Sequence, residues 1–138
     1  MEVRVLAPGD EDLLIRAVAM IEEGALTPER AAAHLADDTM VNVAAIEAGE
    51  VTGFVYGHVL RRFEAVSFFI YSVDVVEARR RRGVARAMLE RLKALMPERG
   101  WDEMFVFTNR GNEAAMRLYA SAGGLSPPPD DVVMFDFD

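Results

Sequence analysis

Three stretches rich in β-branched and aromatic residues follow one another in the middle of this chain, and they constrain its fold more than any other feature. They are MVNVAAIE from Met40, VTGFVYGHVL from Val51 and SFFIYSVDVV from Ser67. This composition favours strands. The short sequence AGE between the first two stretches is typical of a hairpin turn. The chain is therefore predicted to contain three successive antiparallel strands.

Helical patterns flank these strands on both sides. A short strand, EVRVL, is followed by a helix with Asp10 as its N-cap and by a second helix in which Thr27 caps and Pro28 fits the first turn. Beyond the strands come a helix that Pro97 ends, a strand WDEMFVFT, a helix NEAAMRLYASAGG and a last strand DVVMFDFD. This order predicts one α+β domain over residues 1–138, with a mixed, mostly antiparallel central sheet flanked by helices.

The charge balance and the absence of cysteine exclude several classes of function. The 138 residues include 15 basic and 23 acidic side chains, a formal net charge of -8, and no cysteine. Most of the surface would repel a polyanion such as DNA, and neither a thiol nucleophile nor a thiolate metal site can form. No apolar run approaches the roughly 20 residues of a membrane span, and the start MEVRVLAPGDED lacks signal-peptide features. We therefore expect a cytoplasmic protein without nucleic-acid, membrane or metal partners.

The sequence VEARRRRGVARAML, residues 76–89, lies between a predicted strand and a helix that is predicted to begin near Arg82. The unpaired N–H groups and the dipole at a helix N-terminus bind anions. Gly83 and Ala85 remove side-chain bulk from the first turn, so an anion can approach the backbone. The spacing matches neither a Walker A loop nor G-x-G-x-x-G. The stretch therefore predicts a phosphate site of another kind.

Two motifs together resemble the GCN5-related N-acetyltransferase (GNAT) family. Its signature is Arg/Gln-x-x-Gly-x-Gly/Ala followed by Asn-x-x-Ala-x-x-Leu-Tyr, and this chain has RRRRGVA and later NEAAMRLY. The resemblance runs from about Met40 to the end of the chain. It implies the GNAT fold and acetyl-CoA as the coenzyme.

The resemblance also implies which residues hold the coenzyme. Backbone groups of Val73 and Val75 would face its pantetheine arm, the amides from Arg81 to Arg86 would cradle its pyrophosphate, and arginine side chains would bond to phosphate. Asn112 occupies the second motif, where the alternative role is a helix N-cap. The expected coenzyme-binding residues are Val73, Val75, Arg80, Arg81, Arg82, Gly83, Val84, Ala85, Arg86 and Asn112.

A narrower resemblance suggests the acceptor. VLRRFE, IYSVDV, RRRRGVA and VVMFDFD are similar to runs in the GNAT-type aminoglycoside 3-N-acetyltransferases, which implies acetyl transfer to the 3-amino group of an antibiotic and hence resistance. Acidic side chains would attract such a small cationic amine, and Asp74, Glu64 and Asp136 are the candidates. That family has an aspartate where this chain has Ser72. Strand alternation puts Asp74 on the same face, about 7 Å further along, and Tyr71 on the other.

The expected mechanism is direct transfer in a ternary complex, because no cysteine can carry the acetyl group. Asp74 or Glu64 is the candidate general base, and an amide near Val75 can bond the thioester oxygen. Tyr119 is the candidate acid for the departing thiolate, with a core position on its helix as the alternative.

Other functions stay open at this point. The acceptor can instead be a polyamine, a small metabolite or a protein N-terminus, or the chain can be an acyl-CoA-binding module without turnover. A homodimer is a further possibility for a chain of this size with a C-terminal strand.

Overall fold

The computed structural model describes residues 1–21, 24–127 and 132–137. Two compact units are formed, Met1–Phe107 and Thr108–Asp138. The elements of the first unit are β1 (Glu2–Val5), α1 (Glu11–Ile21), α2 (Pro28–Ala36), β2 (Met40–Glu47), β3 (Glu50–Arg62), β4 (Ala65–Val75), a short 3₁₀ turn (Glu77–Arg79), α3 (Val84–Arg99) and β5 (Glu103–Val106). The second unit contains α4 (Glu113–Ser121).

The sheet of the first unit has the order β1-β2-β3-β4-β5. The strands β1 to β4 pair with one another in antiparallel fashion, whereas β5 runs parallel to β4 after the crossover through α3. The hairpin between β2 and β3 turns at Ala48 and Gly49, which both have positive φ angles of 50° and 80°, as a tight hairpin turn requires. The mixed, mostly antiparallel sheet with flanking helices confirms the predicted fold class.

The two faces of the sheet carry different helices. On one face α1 and α2 cover a cluster of buried residues, namely Leu6, Leu14, Ala17, Ala31, Ala44 and Phe54. On the other face α3 packs so closely on β3 that a Cβ atom at Gly53 would lie 2.9 Å from side-chain carbons of Val84 and Met88. Phe68 also stacks on Trp101 at a centroid distance of 4.3 Å. The sheet is therefore buried on both faces near its centre.

The strand β4 contains a β-bulge, so the predicted alternation of its side chains between the two sheet faces is wrong at Tyr71. Tyr56 pairs with Ser72 and Gly57 with Ile70, so Tyr71 is an extra residue on β4. Its ring stacks on that of Tyr56 at 5.5 Å. Because an extra residue shifts the period of two, Tyr71 joins the face of Tyr56 instead of the opposite one.

Local cap chemistry sets several helix ends. The Thr27 hydroxyl accepts a hydrogen bond from the Arg30 amide at 3.2 Å, which confirms the predicted N-cap of α2. The prediction that Pro97 ends α3 was wrong, because the helix continues to Arg99. A proline in the last turn removes only one backbone donor. The helix ends where Gly100 adopts a φ of 71° and donates its N–H to the Met96 carbonyl.

The predicted last strand is not formed over residues 132–137, and the remainder of DVVMFDFD lies outside the described residues. The side chains of 132–137 are exposed. An alternating hydrophobic pattern does not hold a strand by itself. Without a neighbouring strand, the backbone N–H and C=O groups stay unpaired. Among the described residues, no helix is long and apolar enough to cross a membrane.

Candidate functional site

The outer edge of β4 is open next to the arginine-rich loop. Pairing between β4 and β5 ends at Ile70 and Val106, while β4 continues to Val75. The Val76 amide donates to the Thr52 carbonyl of β3 at 2.9 Å. Because antiparallel strands direct alternate residues toward each other, Val73 and Val75 point their backbone groups away from β3. Within the described part of the chain, no strand pairs with this stretch of the edge.

The loop between β4 and α3 has an unusual backbone. Arg81 and Gly83 have positive φ angles of 64° and 80°, and Arg82 between them does not. A residue of negative φ between two of positive φ is the pattern of a nest, in which successive amides face one anion. A Cβ atom at Gly83 would have no atom within 4 Å, so the φ angle, more than the small size, requires glycine. The helix α3 begins at Val84, two residues after the predicted start, because Gly83 is not helical.

The arginines of the loop have different partners. The Nε of Arg79 lies 3.2 Å from the Glu47 carboxylate, and the Nε of Arg80 donates to the Val75 carbonyl at 3.0 Å. Arg81 and Arg82 are exposed, and neither makes an ion pair within the residues that the structure describes. The loop therefore presents two guanidinium groups beside its nest, while two others shape it.

Within the described residues Arg86, unlike Arg81 and Arg82, makes an ion pair. It lies on α3 one turn before Glu90, and its Nε is 3.1 Å from the Glu90 carboxylate. The hydrogen bond from Arg86, with a smaller contribution from Lys93, lowers the pKa of Glu90. An anion would have to compete with Glu90 for Arg86, so its predicted phosphate role is less favoured than that of Arg81 or Arg82.

Asp74 lies on the strand that carries the open edge. It is half-buried, and its carboxylate accepts a hydrogen bond from the Ser72 hydroxyl at 2.5 Å. Its cross-strand neighbour is Phe54, which belongs to the face covered by α1 and α2. The carboxylate thus stands on one face of β4, between two residues whose backbone groups face the open edge.

Glu64 does not join Asp74. It lies in the turn between β3 and β4, directly before the first residue of β4, and Asp74 is the last residue but one of that strand. At about 3.3 Å per residue, the two carboxylates are roughly 30 Å apart. Of these two candidate bases, only Asp74 therefore lies beside the open edge of β4, because proximity to the strand in sequence does not distinguish its two ends.

Three of the predicted residues belong to the second unit. The side-chain oxygen of Asn112 accepts from the Ala115 amide at 3.0 Å, so Asn112 is the N-cap of α4. Tyr119 lies on α4, and its carbonyl accepts the Gly124 amide at 2.8 Å. Asp136 is exposed. The roles of these residues toward coenzyme and acceptor stay predictions.

A cavity that sequence reasoning missed lies beneath α1 and α2. Its volume is about 180 Å³. Two of its wall residues, Phe54 and Tyr56, are the cross-strand neighbours of Asp74 and Ser72, so it adjoins the Asp74 face. The apolar spacing of α1 was its only sequence signal. The lining residues are Leu14, Val18, Ile21, Leu26, His34, Met40, Asn42, Phe54 and Tyr56.

The described residues contain no group of three histidine, aspartate or glutamate side chains that could hold a metal ion. The first unit therefore combines an open strand edge, a loop with the pattern of an anion nest and two arginines, and a separate carboxylate.

Comparison with known protein families shows to which family the chain belongs. Residues 13–123 match the family model described as Acetyltransferase (GNAT) family. The chain belongs to this family, and acetyl-CoA is the acetyl donor that the family uses. The open edge of β4 suits the amide-bearing pantetheine arm, and the nest with Arg81 and Arg82 suits a pyrophosphate.

Solved structures share the fold over almost the whole chain. The aminoglycoside acetyltransferase HMB0005 from an uncultured soil metagenomic sample is 28% identical, with a TM-score of 0.87 and coverage of 99% of this chain and 97% of that one. A second aminoglycoside acetyltransferase from such a sample, meta-AAC0020 in complex with sisomicin, is 18% identical, with a TM-score of 0.89 and coverage of 99% and 95%.

AAC(6')-Iy in complex with a bisubstrate analogue, CoA-S-monomethyl-acetylneamine, is 16% identical, with a TM-score of 0.81 and coverage of 99% and 97%. A search of curated protein sequences finds no significant match.

Proposed function

We propose that this GNAT acetyltransferase transfers the acetyl group of acetyl-CoA to an amino group of an aminoglycoside, directly in a complex of enzyme, coenzyme and acceptor. The observation that carries the proposal is the position of Asp74 beside the open edge of β4. A pantetheine arm along that edge brings the thioester to the backbone of Val73 and Val75. A carboxylate on the adjoining face is then in place to receive a proton from the acceptor.

Residues of the first unit have separate roles in this reaction. Arg80 occupies the Val75 carbonyl, which leaves the Val75 amide to bond the thioester oxygen as negative charge develops there. The hydrogen bond from Ser72 holds the Asp74 carboxylate in place. Bound acetyl-CoA supplies the activated acyl group.

The proton transfers complete the proposed step. Asp74 takes a proton from the acceptor ammonium, directly or through water, before the nitrogen attacks. The new C–N bond then replaces the C–S bond. We assign to Tyr119 the proton that the coenzyme thiolate receives, and the second proton that the nitrogen loses on forming the amide returns to Tyr119 through water.

The choice of an aminoglycoside has two supports. HMB0005, an aminoglycoside acetyltransferase, is 28% identical over nearly the full length, and the formal net charge of -8 favours a polycationic acceptor. We assign the 3-amino group as the site of transfer, and antibiotic resistance in the cytoplasm as the biological outcome, on the motif resemblance.

The test is a thiol-release assay with acetyl-CoA and a panel of aminoglycosides, linear polyamines and peptides. We expect release with aminoglycosides, and NMR of the product should show the acetyl group on the 3-amino nitrogen. Release with peptides alone would reject the aminoglycoside. Thermal stabilisation by acetyl-CoA without turnover of any amine would instead indicate a binding module.

A further inference from the structure

We propose that a row of aromatic rings on the Asp74 face is the platform on which the acceptor lies, and that Tyr71 selects cationic amines built on rings over linear ones. This inference rests on the proposed acetyl transfer to an amine and names the shape of that amine. The aromatic row consists of Phe54, Tyr56, Tyr71, Phe69, Phe105 and Phe107.

The aromatic row is continuous across β3, β4 and the end of β5. Phe54 stacks on Tyr56 at a centroid distance of 5.4 Å, and Tyr56 stacks on Tyr71 at 5.5 Å. Tyr71 meets Phe69 edge-on at 6.0 Å, and Phe69 continues the row toward the rings of β5. Each distance lies in the range of favourable aromatic pairs.

The exposure of the rings changes along the row. Phe54 is only 2% exposed and forms part of the cavity wall, whereas Tyr71 and Phe107 are each 63% exposed. A row that served only as core would be covered along its length. Adjoining exposed aromatic rings are typical of binding surfaces.

The β-bulge places Tyr71 next to the reacting groups. Without the extra residue, Tyr71 would point to the α3 face. With it, Tyr71 stacks on Tyr56, the cross-strand neighbour of Ser72, whose hydroxyl bonds Asp74. Cross-strand side chains lie about 5 Å apart at their Cβ atoms. An amine on these rings is thus within reach of the carboxylate.

The chemistry of the row matches a ring-bearing cationic amine. Tyr71 is 63% exposed, and its aromatic ring adds to the attraction for an ammonium group, while the Asp74 carboxylate supplies a negative charge. The exposed parts of the adjoining rings also form a broad apolar surface that a ring skeleton covers and that a linear chain leaves largely in water. Charge alone would attract both kinds of amine, so this apolar surface is what discriminates.

The experiment compares Tyr71→Ala and Tyr71→Phe with the parent protein, using sisomicin and the linear polyamine spermidine as acceptors. For Tyr71→Ala we expect KM for sisomicin to rise about tenfold, with kcat and the KM for acetyl-CoA within about twofold. Tyr71→Phe should resemble the parent, because it keeps the ring. Phe63→Ala is the matched control, since Phe63 is a fully exposed aromatic residue in the turn between β3 and β4.

Several outcomes would overturn the inference. An unchanged KM, an equal rise for sisomicin and spermidine, or a loss confined to kcat would each do so. Conversion of a dimer to a monomer by Tyr71→Ala in light scattering, with an unchanged KM, would show that the row binds a second copy instead.

The design separates this inference from the proposed function. If no aminoglycoside is acetylated, the proposed acceptor fails, and the same variants are then compared on a cyclic and a linear amine that the parent protein does acetylate. Loss of preference for the cyclic amine in Tyr71→Ala still supports the row, and an unchanged preference rejects it.

Discussion

At Gly83 the backbone conformation decides which residues the loop can contain. The φ angle of 80° is favourable for glycine, and the space around a Cβ atom is open. Alanine would therefore meet strain without a clash, whereas a glutamate would add a negative charge to the proposed anion site. The two substitutions separate the two roles of this position.

We expect Gly83→Ala to weaken acetyl-CoA binding by roughly 5- to 30-fold, as about 1–2 kcal/mol of left-handed strain would predict. Gly83→Asn should lose less, because asparagine tolerates this region, and Gly83→Glu should abolish binding. Calorimetric titration with acetyl-CoA measures all three. Full affinity in Gly83→Glu would reject the pyrophosphate assignment.

Asp74 and Glu64 provide a matched pair of carboxylates at the two ends of one strand. Asp74→Asn removes the proposed base and should lower kcat about 100-fold or more, while the affinity for acetyl-CoA stays close to that of the parent. Glu64→Gln removes the same charge roughly 30 Å away and should have little effect. Equal kcat losses, measured by thiol release, would contradict the geometry.

At the scale of elements, the junction of β4 and α3 combines three features of the proposed coenzyme site. The open strand edge offers amides, the loop offers a nest, and the helix offers its N-terminus. Only part of the arginine run adds free positive charge to these features, because Arg79 is paired with Glu47 and Arg80 with the Val75 carbonyl.

The arginine side chains should therefore differ in their effect on the coenzyme. We expect Arg81→Ala and Arg82→Ala each to weaken acetyl-CoA binding several-fold, in a salt-dependent manner, and Arg86→Ala to weaken it less because Glu90 already holds that guanidinium. Titrations at low and high salt measure this. A larger loss for Arg86→Ala would show that the anion displaces Glu90.

The N-cap of α4 can be tested apart from coenzyme binding. Asn112→Ala should lower the free energy of unfolding by about 1 kcal/mol, whereas Asn112→Asp keeps an acceptor oxygen and should preserve stability. Denaturant unfolding measures both. If Asn112→Asp is stable but binds acetyl-CoA poorly, the amide has a role beyond the cap.

At the scale of the whole molecule, the acidic balance makes stability depend on pH. Hydrogen bonds from the Thr39 hydroxyl and amide lower the pKa of Asp37, and the bond from Arg86 lowers that of Glu90. A carboxyl group whose pKa is lower in the folded than in the unfolded protein stabilises the fold above the unfolded value. That contribution disappears as the pH falls through the folded value.

We expect Asp37→Asn to lower the Tm slightly at pH 7, and the difference from the parent to shrink below about pH 4, where aspartate becomes protonated in the unfolded chain. Asp38→Asn is the control, because it removes the same charge from the next residue. Thermal unfolding from pH 7 to pH 3 measures both. A difference that stays constant to pH 3 would contradict the assigned cause.

The sequence by itself determined the features that depend on neighbouring residues. The hairpin at Ala48 and the cap at Thr27 follow from local turn and cap chemistry, and the hydrophobic periods define the elements up to α4. These suffice for the fold class and, with the two motifs, for the family. The anion site around Gly83 stays a prediction.

Only the tertiary structure decided which distant residues meet. Strand register turns Tyr71 toward the Asp74 face and separates Glu64 from Asp74, and it brings Glu47 to Arg79 across 32 positions. The cavity likewise needs two helices and two strands at once. Register and packing depend on the whole sheet, and a period of two cannot reveal where one extra residue shifts it.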